Sequence, residues 1–460
     1  MATEPELVAT RPQTLAPPAE RGLSRIILKL AWPVVVERFA ISVLSAVDAV
    51  LVGRYVGGDG LAAIGLGTLM FWIPLSGAFA IDVGATAIIA RDVGAGDRSR
   101  VQSGLHTAIL AAFAWGVVCT IFVFAAAPLL MRLMGAEADV RPLGVEFLRW
   151  GSLGFPMLMV LYAISGSLRG MGNTWMPMLI LLIVNAVNAL VVYLLISGAV
   201  ADLGIRASGI GFALGGTMGG GLALALAASS LSPISMDVGR LFGVSRSSFA
   251  RLLRVGFPVG LEEAQFMFAF LVYTGIIATL GMDQLAAHSL ALRSLEIAIL
   301  PGFALGTAAT ALVGQYLGAG QPDTAEAVAK RVRLFAVGTL CVMAALQFTL
   351  APYIADLFVR DDEVADIATK LLRVFSFALP GMAVHASLSG ALRGAGDVRF
   401  VLGTFTFTAW GVRVPLAALM VLGFGLTAPC AWTAAVTENW VRAALVQRRF
   451  MLGKWKTLRV

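Results

Sequence analysis

About twelve stretches of roughly 20 or more apolar residues, each bounded by Gly, Pro or charge, follow one another along this chain. As a helix, each is long enough to cross a bilayer. Within hydrocarbon only helices and closed barrels satisfy their own backbone groups, so runs of this length leave one fold class, an all-α polytopic membrane protein. Composition concurs: 58% of the 460 residues are hydrophobic, 13% are charged and the mean hydropathy is +0.86. The net charge of +7 does not point to nucleic acid, because the basic residues gather in tails and loops. Their bias to one side predicts both termini in the cytoplasm and an even number of passes. The three cysteines and three histidines are scattered through apolar runs, so neither a disulfide framework, a metal site nor an enzyme's catalytic cluster is expected, and no cofactor is implied.

The two halves repeat. FPMLMVLYAISGSLRGMGNT from Phe155 aligns with LPGMAVHASLSGALRGAGDV from Leu379, matching Arg169 with Arg393 and Gly172 with Gly396. The same shift pairs LAAIGLG at Leu61 with LAAHSLA at Leu285, and Pro33 pairs with Pro258 after a one-residue slip. Six passes per half make the repeats parallel, giving two six-helix bundles that flank a central cleft. The expected organisation is a disordered cytoplasmic tail over 1–22, a first bundle over 23–231, a cytoplasmic linker over 232–250, a second bundle over 251–449 and a basic cytoplasmic tail over 450–460. The LRG-x-G segments at Arg169 and Arg393 read as tight cytoplasmic turns whose arginines anchor lipid headgroups, not as nucleotide cradles, since no GK[ST] follows.

Charge inside a membrane helix is costly, so each buried acid is a functional suspect. Asp48 leads, in LAWPVVVERFAISVLSAVDAVLVGRY. Glu37 precedes it by 11 residues and returns to nearly the same helix face, so the two acids read as ends of one polar track. Glu262 is the repeat partner of Glu37, and with Glu263 beside it only one of the two can face a cleft. Asp82 lies deep with no basic residue near it in sequence. Arg293 and Glu296 read as a local salt bridge, and Arg413 and Glu438 as a structural pair. Seven acids against three arginines inside the spans favour a cationic cargo.

The motifs WPVVVERFAISVLSAVDAVLVG, ARDVGAGD, SGSLRGMGNT, AAHSLALRSLEIAILPGFALGTAATALVGQYLGAG, SGALRGAGDVRF and RRFMLGKWKTLRV, in this order, resemble the multidrug and toxic compound extrusion (MATE) transporters, in particular the DinF-like branch. The resemblance implies a monomeric secondary antiporter in the bacterial inner membrane that exports organic, cationic molecules by alternating access, with no nucleic-acid partner. It also implies a first-helix aspartate that titrates, here Asp48, and a hinge proline, here Pro33. In the fifth helix the DinF-like pattern places an aspartate four residues after an asparagine. Here Asn188 is followed by Val192, so half of that carboxylate pair is missing. Asn185 and Asn188 share a face and are expected to bond to Asp48 or to substrate. With one carboxylate, proton coupling is expected over sodium. The alternative is a flippase for lipid-linked precursors from the same superfamily.

Overall fold

The computed structural model describes residues 20–200, 203–229 and 245–458. Of the expected N-terminal tail, residues 1–19 lie outside the described residues, as do residues 232–244 of the expected linker. The described chain is helical, with no strand among the described residues. The first half contains α1 (Glu20–Tyr55), α2 (Gly58–Gly94), α3 (Arg98–Leu133), α4 (Val140–Ser152), α5 (Phe155–Gly170), α6 (Trp175–Ile196) and α7 (Arg206–Ala228). The second half repeats this order as α8 (Arg246–Ala278), α9 (Met282–Gly318), α10 (Pro322–Phe358), α11 (Asp362–Ser376), α12 (Leu379–Ala395), α13 (Val398–Thr408), α14 (Val414–Ala418) and α15 (Ala428–Met451). Two π-helical turns, Ala409–Arg413 and Leu419–Gly423, continue α13 and α14 into one long pass.

Among the described residues, seven helices are long and apolar enough to span a membrane, and three bent pairs raise the count to ten. The pairs α4–α5 and α11–α12 are single passes bent by 52° and 49°. At each bend Pro156 or Pro380 occupies the first turn of the following helix, where its missing N–H costs nothing. The helices α1 and α15 complete the repeat but carry more charge, including Glu37, Arg38 and Asp48 in α1 and Glu438 and Arg442 in α15. The turns after α5 and α12 hinge on Gly172 and Gly396 at φ of +84° and +87°, a region that favours glycine.

The lobes are not two closed bundles. Leu23, Ile27, Leu30, Ala31 and Val34 of α1 sit in the apolar core of the second half with α9, α10 and α12. Reciprocally, Leu252, Val255 and Val259 of α8 belong to the core of the first half. Each lobe therefore borrows the start of the other's first helix, so the expected boundary at 251 divides the chain but not the packing. The remainder of α1 returns to its own lobe, packing on α6 with Trp32 edge-on to Trp175 at 4.6 Å between ring centres. Pro33 is buried, and α1 runs unbroken through it.

Contacts between lobes concentrate at one end. A methyl group at Gly94 would stand 1.9 Å from the Gln315 carbonyl oxygen, and one at Gly318 would stand 2.1 Å from that of Arg91, so α2 and α9 cross with their backbones touching. Nearby, Arg251 pairs with Asp92 at 2.7 Å, Gln315 donates to the Gly170 carbonyl, and Arg91 donates to the carbonyls of Ala395 and Leu458. The chain end docks at this closed face: Trp455 is fully buried and stacked on Phe450, and Lys456 reaches Asp323 and Glu326.

Candidate functional site

Buried charge is organised around two arginines, Arg169 and Arg393, which their turn motifs alone would put at the cytoplasmic surface. Arg169, in the last turn of α5, is 3% exposed; it donates from Nη2 to Glu37 Oε1 at 2.5 Å and from Nη1 to Asp82 Oδ1 at 2.6 Å. Arg393, its repeat partner in α12, donates from Nη2 to Glu262 at 2.8 Å. Neither is a headgroup anchor. The bend that begins each pass and the tight glycine turn that ends it point the arginine into the lobe, where a facing acid compensates it. A close crossing supports each pair: Thr86 of α2 donates to the Gly166 carbonyl and Thr310 of α9 to that of Gly390, both at 2.9 Å.

Asp82 therefore has a basic partner, brought by α5 from 87 residues away. Glu37 and Asp48 do not act as one track: Glu37 is buried against Arg169, whereas Asp48 is half-buried and accepts from Ser208 Oγ of α7 at 2.7 Å. Neither Asn185 nor Asn188 bonds to Asp48. Asn188 is buried against Gly211 and Gly215 of α7, and the Nδ2 of Asn185 is buried without an acceptor. Val192 is packed against Gly211 in the place expected of a carboxylate. Of the adjacent acids in α8, Glu262 is taken by Arg393. Glu263 has the charges of Glu262, Arg393 and Arg38 around it and closes no ion pair. Arg293 and Glu296 are both exposed and do not close the expected salt bridge.

A second polar cluster lies in the other lobe. Glu438 of α15 is 1% exposed and accepts from Arg442 of its own helix, while Arg413 approaches it at 3.4 Å. Arg442 also donates to Thr408 Oγ1 and lies over the Phe405 ring. His385 shares a 3.0 Å hydrogen bond with Asn439. Arg169, Arg393 and Arg442 are thus arginines of the lobe interiors that the count of arginines inside the spans left out. Guanidinium groups stand against most of the buried acids, so the interior lacks the strong negative excess expected. Among the described residues, no cluster of His, Cys, Asp and Glu could hold a metal.

Known proteins share this fold. The chain is 26% identical over 438 residues to the probable multidrug resistance protein NorM of Thermotoga maritima, covering 94% of this chain and 92% of that one. It is 28% identical over 411 residues to the multidrug resistance protein PmpM of Pseudomonas aeruginosa, covering 87% and 85%. Among solved structures, an outward-facing multidrug resistance MATE transporter superposes with a TM-score of 0.87 at 22% identity, over 94% of this chain and 97% of that one. A transporter from Pyrococcus furiosus, described as having a binding pocket of reverse polarity, superposes at 0.88 with the same identity and coverage. At this identity the likeness speaks for the fold. The sequence profile of the MatE family matches residues 33–194 and again 258–419, one match per repeat. The chain belongs to the MatE family of multidrug and toxic compound extrusion transporters.

Proposed function

We infer that this protein is a multidrug exporter working as a proton-coupled antiporter for organic cations, with Asp48 as the principal coupling carboxylate. One observation carries the reading. Glu37, Asp82, Glu262 and Glu438 each face an arginine, whereas the partner of Asp48 is the neutral hydroxyl of Ser208. A carboxylate held by a guanidinium keeps its charge, and one held by a hydroxyl exchanges its proton more freely. Of the acids within the lobes that close no ion pair, Asp48 is the one on the first helix, and the arginine-bound acids fix the helices that carry them. Protonation of Asp48 would cancel its attraction for a cation, release the cargo and permit α1 to shift about Pro33, which biases the exchange between two access states.

In this reading the face closed by Gly94 and Gly318 is cytoplasmic, and the cleft between the lobes opens to the other side. Sodium is the less suitable coupling ion, because Val192 withholds an oxygen ligand that a hard cation requires. The test is dye-cation transport in everted vesicles under an imposed pH gradient. Asp48→Asn should abolish gradient-driven transport while Glu37→Gln retains it; proton-driven transport surviving in Asp48→Asn would sink the assignment.

A further inference from the structure

The two lobes answer each other with opposite charge. Shifting Asp48 by the 225 positions that separate Pro33 from Pro258 leads to Tyr273, and shifting Asn188 leads to Arg413. The two matches to the family profile differ by the same 225 positions at both ends. Where the first lobe holds a carboxylate and an amide, the second holds a phenol and a guanidinium. Arg413 closes the first π-helical turn, and such turns recur at functional sites because they re-aim a side chain out of helical register. Its guanidinium lies 5.6 Å from the centre of the Tyr273 ring.

This corner is rich in donors and short of acceptors. Nε and Nη2 of Arg413 and the hydroxyl of Tyr273 are all buried without a hydrogen-bond partner, and Tyr273 is only 5% exposed. No other arginine among the described residues leaves two buried nitrogens unpartnered. The acid in reach is Glu438, and it is already held by Arg442. Arg413, Arg442 and Glu438 therefore carry one positive charge in excess. Glu263 does not offset it, since its charged neighbours are Glu262, Arg393 and Arg38. A buried guanidinium with free donors and an excess charge calls for an anion more than for water.

We propose that Arg413 and Tyr273 form an anion site in the second lobe, for one small carboxylate or halide, as the counter-site to Asp48. The anion is either a free small ion or the carboxylate of a zwitterionic cargo whose cationic end goes to Asp48. The second source rests on the transport reading, whereas anion binding itself does not. The first experiment is thermal unfolding of the purified protein in detergent, titrated with sodium formate against sodium gluconate at constant ionic strength. The midpoint should rise saturably with formate in wild type and in Asp48→Asn. Tyr273→Phe should raise the half-saturating concentration roughly tenfold, as expected for one hydrogen bond to a charged group, and Arg413→Gln should abolish the effect. No saturable rise in wild type, or an unchanged titration in Tyr273→Phe, overturns the site even if Arg413→Gln does not fold. The second experiment compares vesicle transport of a rhodamine bearing a free carboxylate with that of its methyl ester. Selective loss of the carboxylate form in Tyr273→Phe assigns the site to the cargo, and equal transport of both forms with formate binding intact assigns it to a free anion.

Discussion

Replacing Arg169 with Met removes the cation that holds two buried carboxylates. The side chains of Arg169, Glu37 and Asp82 are 4%, 7% and 8% exposed, so water cannot take over for the lost guanidinium. Leaving a buried charge without its partner costs about 3–5 kcal/mol. At about 2–4 °C per kcal/mol for a unit of lobe size, the thermal midpoint should fall by roughly 6–20 °C. The control is Arg206→Met, because Arg206 and Glu146 meet at the same 2.6 Å but are 49% and 37% exposed. An exposed pair adds little, so this variant should unfold like wild type. Arg393→Met should fall between the two, since Arg393 and Glu262 are 21% and 13% exposed and one acid is orphaned instead of two. Combining Arg169→Met with Glu37→Gln and Asp82→Asn should recover more than half of the loss, because the neutral cluster no longer buries uncompensated charge. The measurement is fluorescence-detected unfolding in detergent at one fixed scan rate, which keeps irreversible midpoints comparable. If Arg169→Met and Arg206→Met unfold together, burial does not govern these pairs and the reasoning fails.

Gly94→Ala should hold the closed face ajar, because its methyl would meet the Gln315 carbonyl at 1.9 Å with backbone on both sides of the crossing; spin-label distances between the ends of α2 and α9 should lengthen. Gly403→Ala, on the same long pass as Arg413 but with open space around its α-carbon, should leave them unchanged. Trp455→Ala should free the chain end, since truncating a fully buried Trp costs about 3–5 kcal/mol; trypsin should then cut at Lys454 and Lys456 much faster than in wild type. The tail contact itself should persist across neutral pH. Hydrogen bonds from Lys456 to Glu326 and Asp323 raise the Lys456 pKa, so its contribution is complete below the ordinary lysine range and fades only as pH rises through the raised value. Tail release between pH 6 and pH 8, by the same trypsin assay, would contradict this.

The fold was legible because it depends on length, apolar run and repeat. An all-α polytopic membrane fold and an internal repeat follow from residue types alone, and the shifts that aligned Pro156 with Pro380 and Gly172 with Gly396 fall on the bends and turns of the structure. The packing of the lobes was less legible. Ile27, Leu30 and Val34 look like any apolar helix face, and nothing in their type says that they enter the second half's core. Exchange between lobes is a property of where a long helix leans, and a hydrophobic stripe is indifferent to which apolar surface covers it.

The site shows where local reading fails and where it had the means to succeed. Arg169 stands next to a turn, and a basic residue beside a turn in a membrane protein is by default an interfacial anchor. Burial overrode that default because Glu37 and Asp82 arrive from α1 and α2, far away in sequence. The repeat nevertheless carried the signal. Glu37 recurs as Glu262 and Arg169 recurs as Arg393, so an acid and a base are duplicated together at nearly one shift. Two anchors at a membrane surface need no matching acids deep in another helix, whereas two buried ion pairs require them. Asp82 has no counterpart, since Gly306 occupies the equivalent position, and Asp48 and Asn188 are replaced by Tyr273 and Arg413. What the halves keep in common is thus the ion pair that braces each lobe. What they let diverge includes the positions on which the proposed cation and anion sites rest, and that divergence sets Asp48 and Arg413 apart from the bracing charges around them.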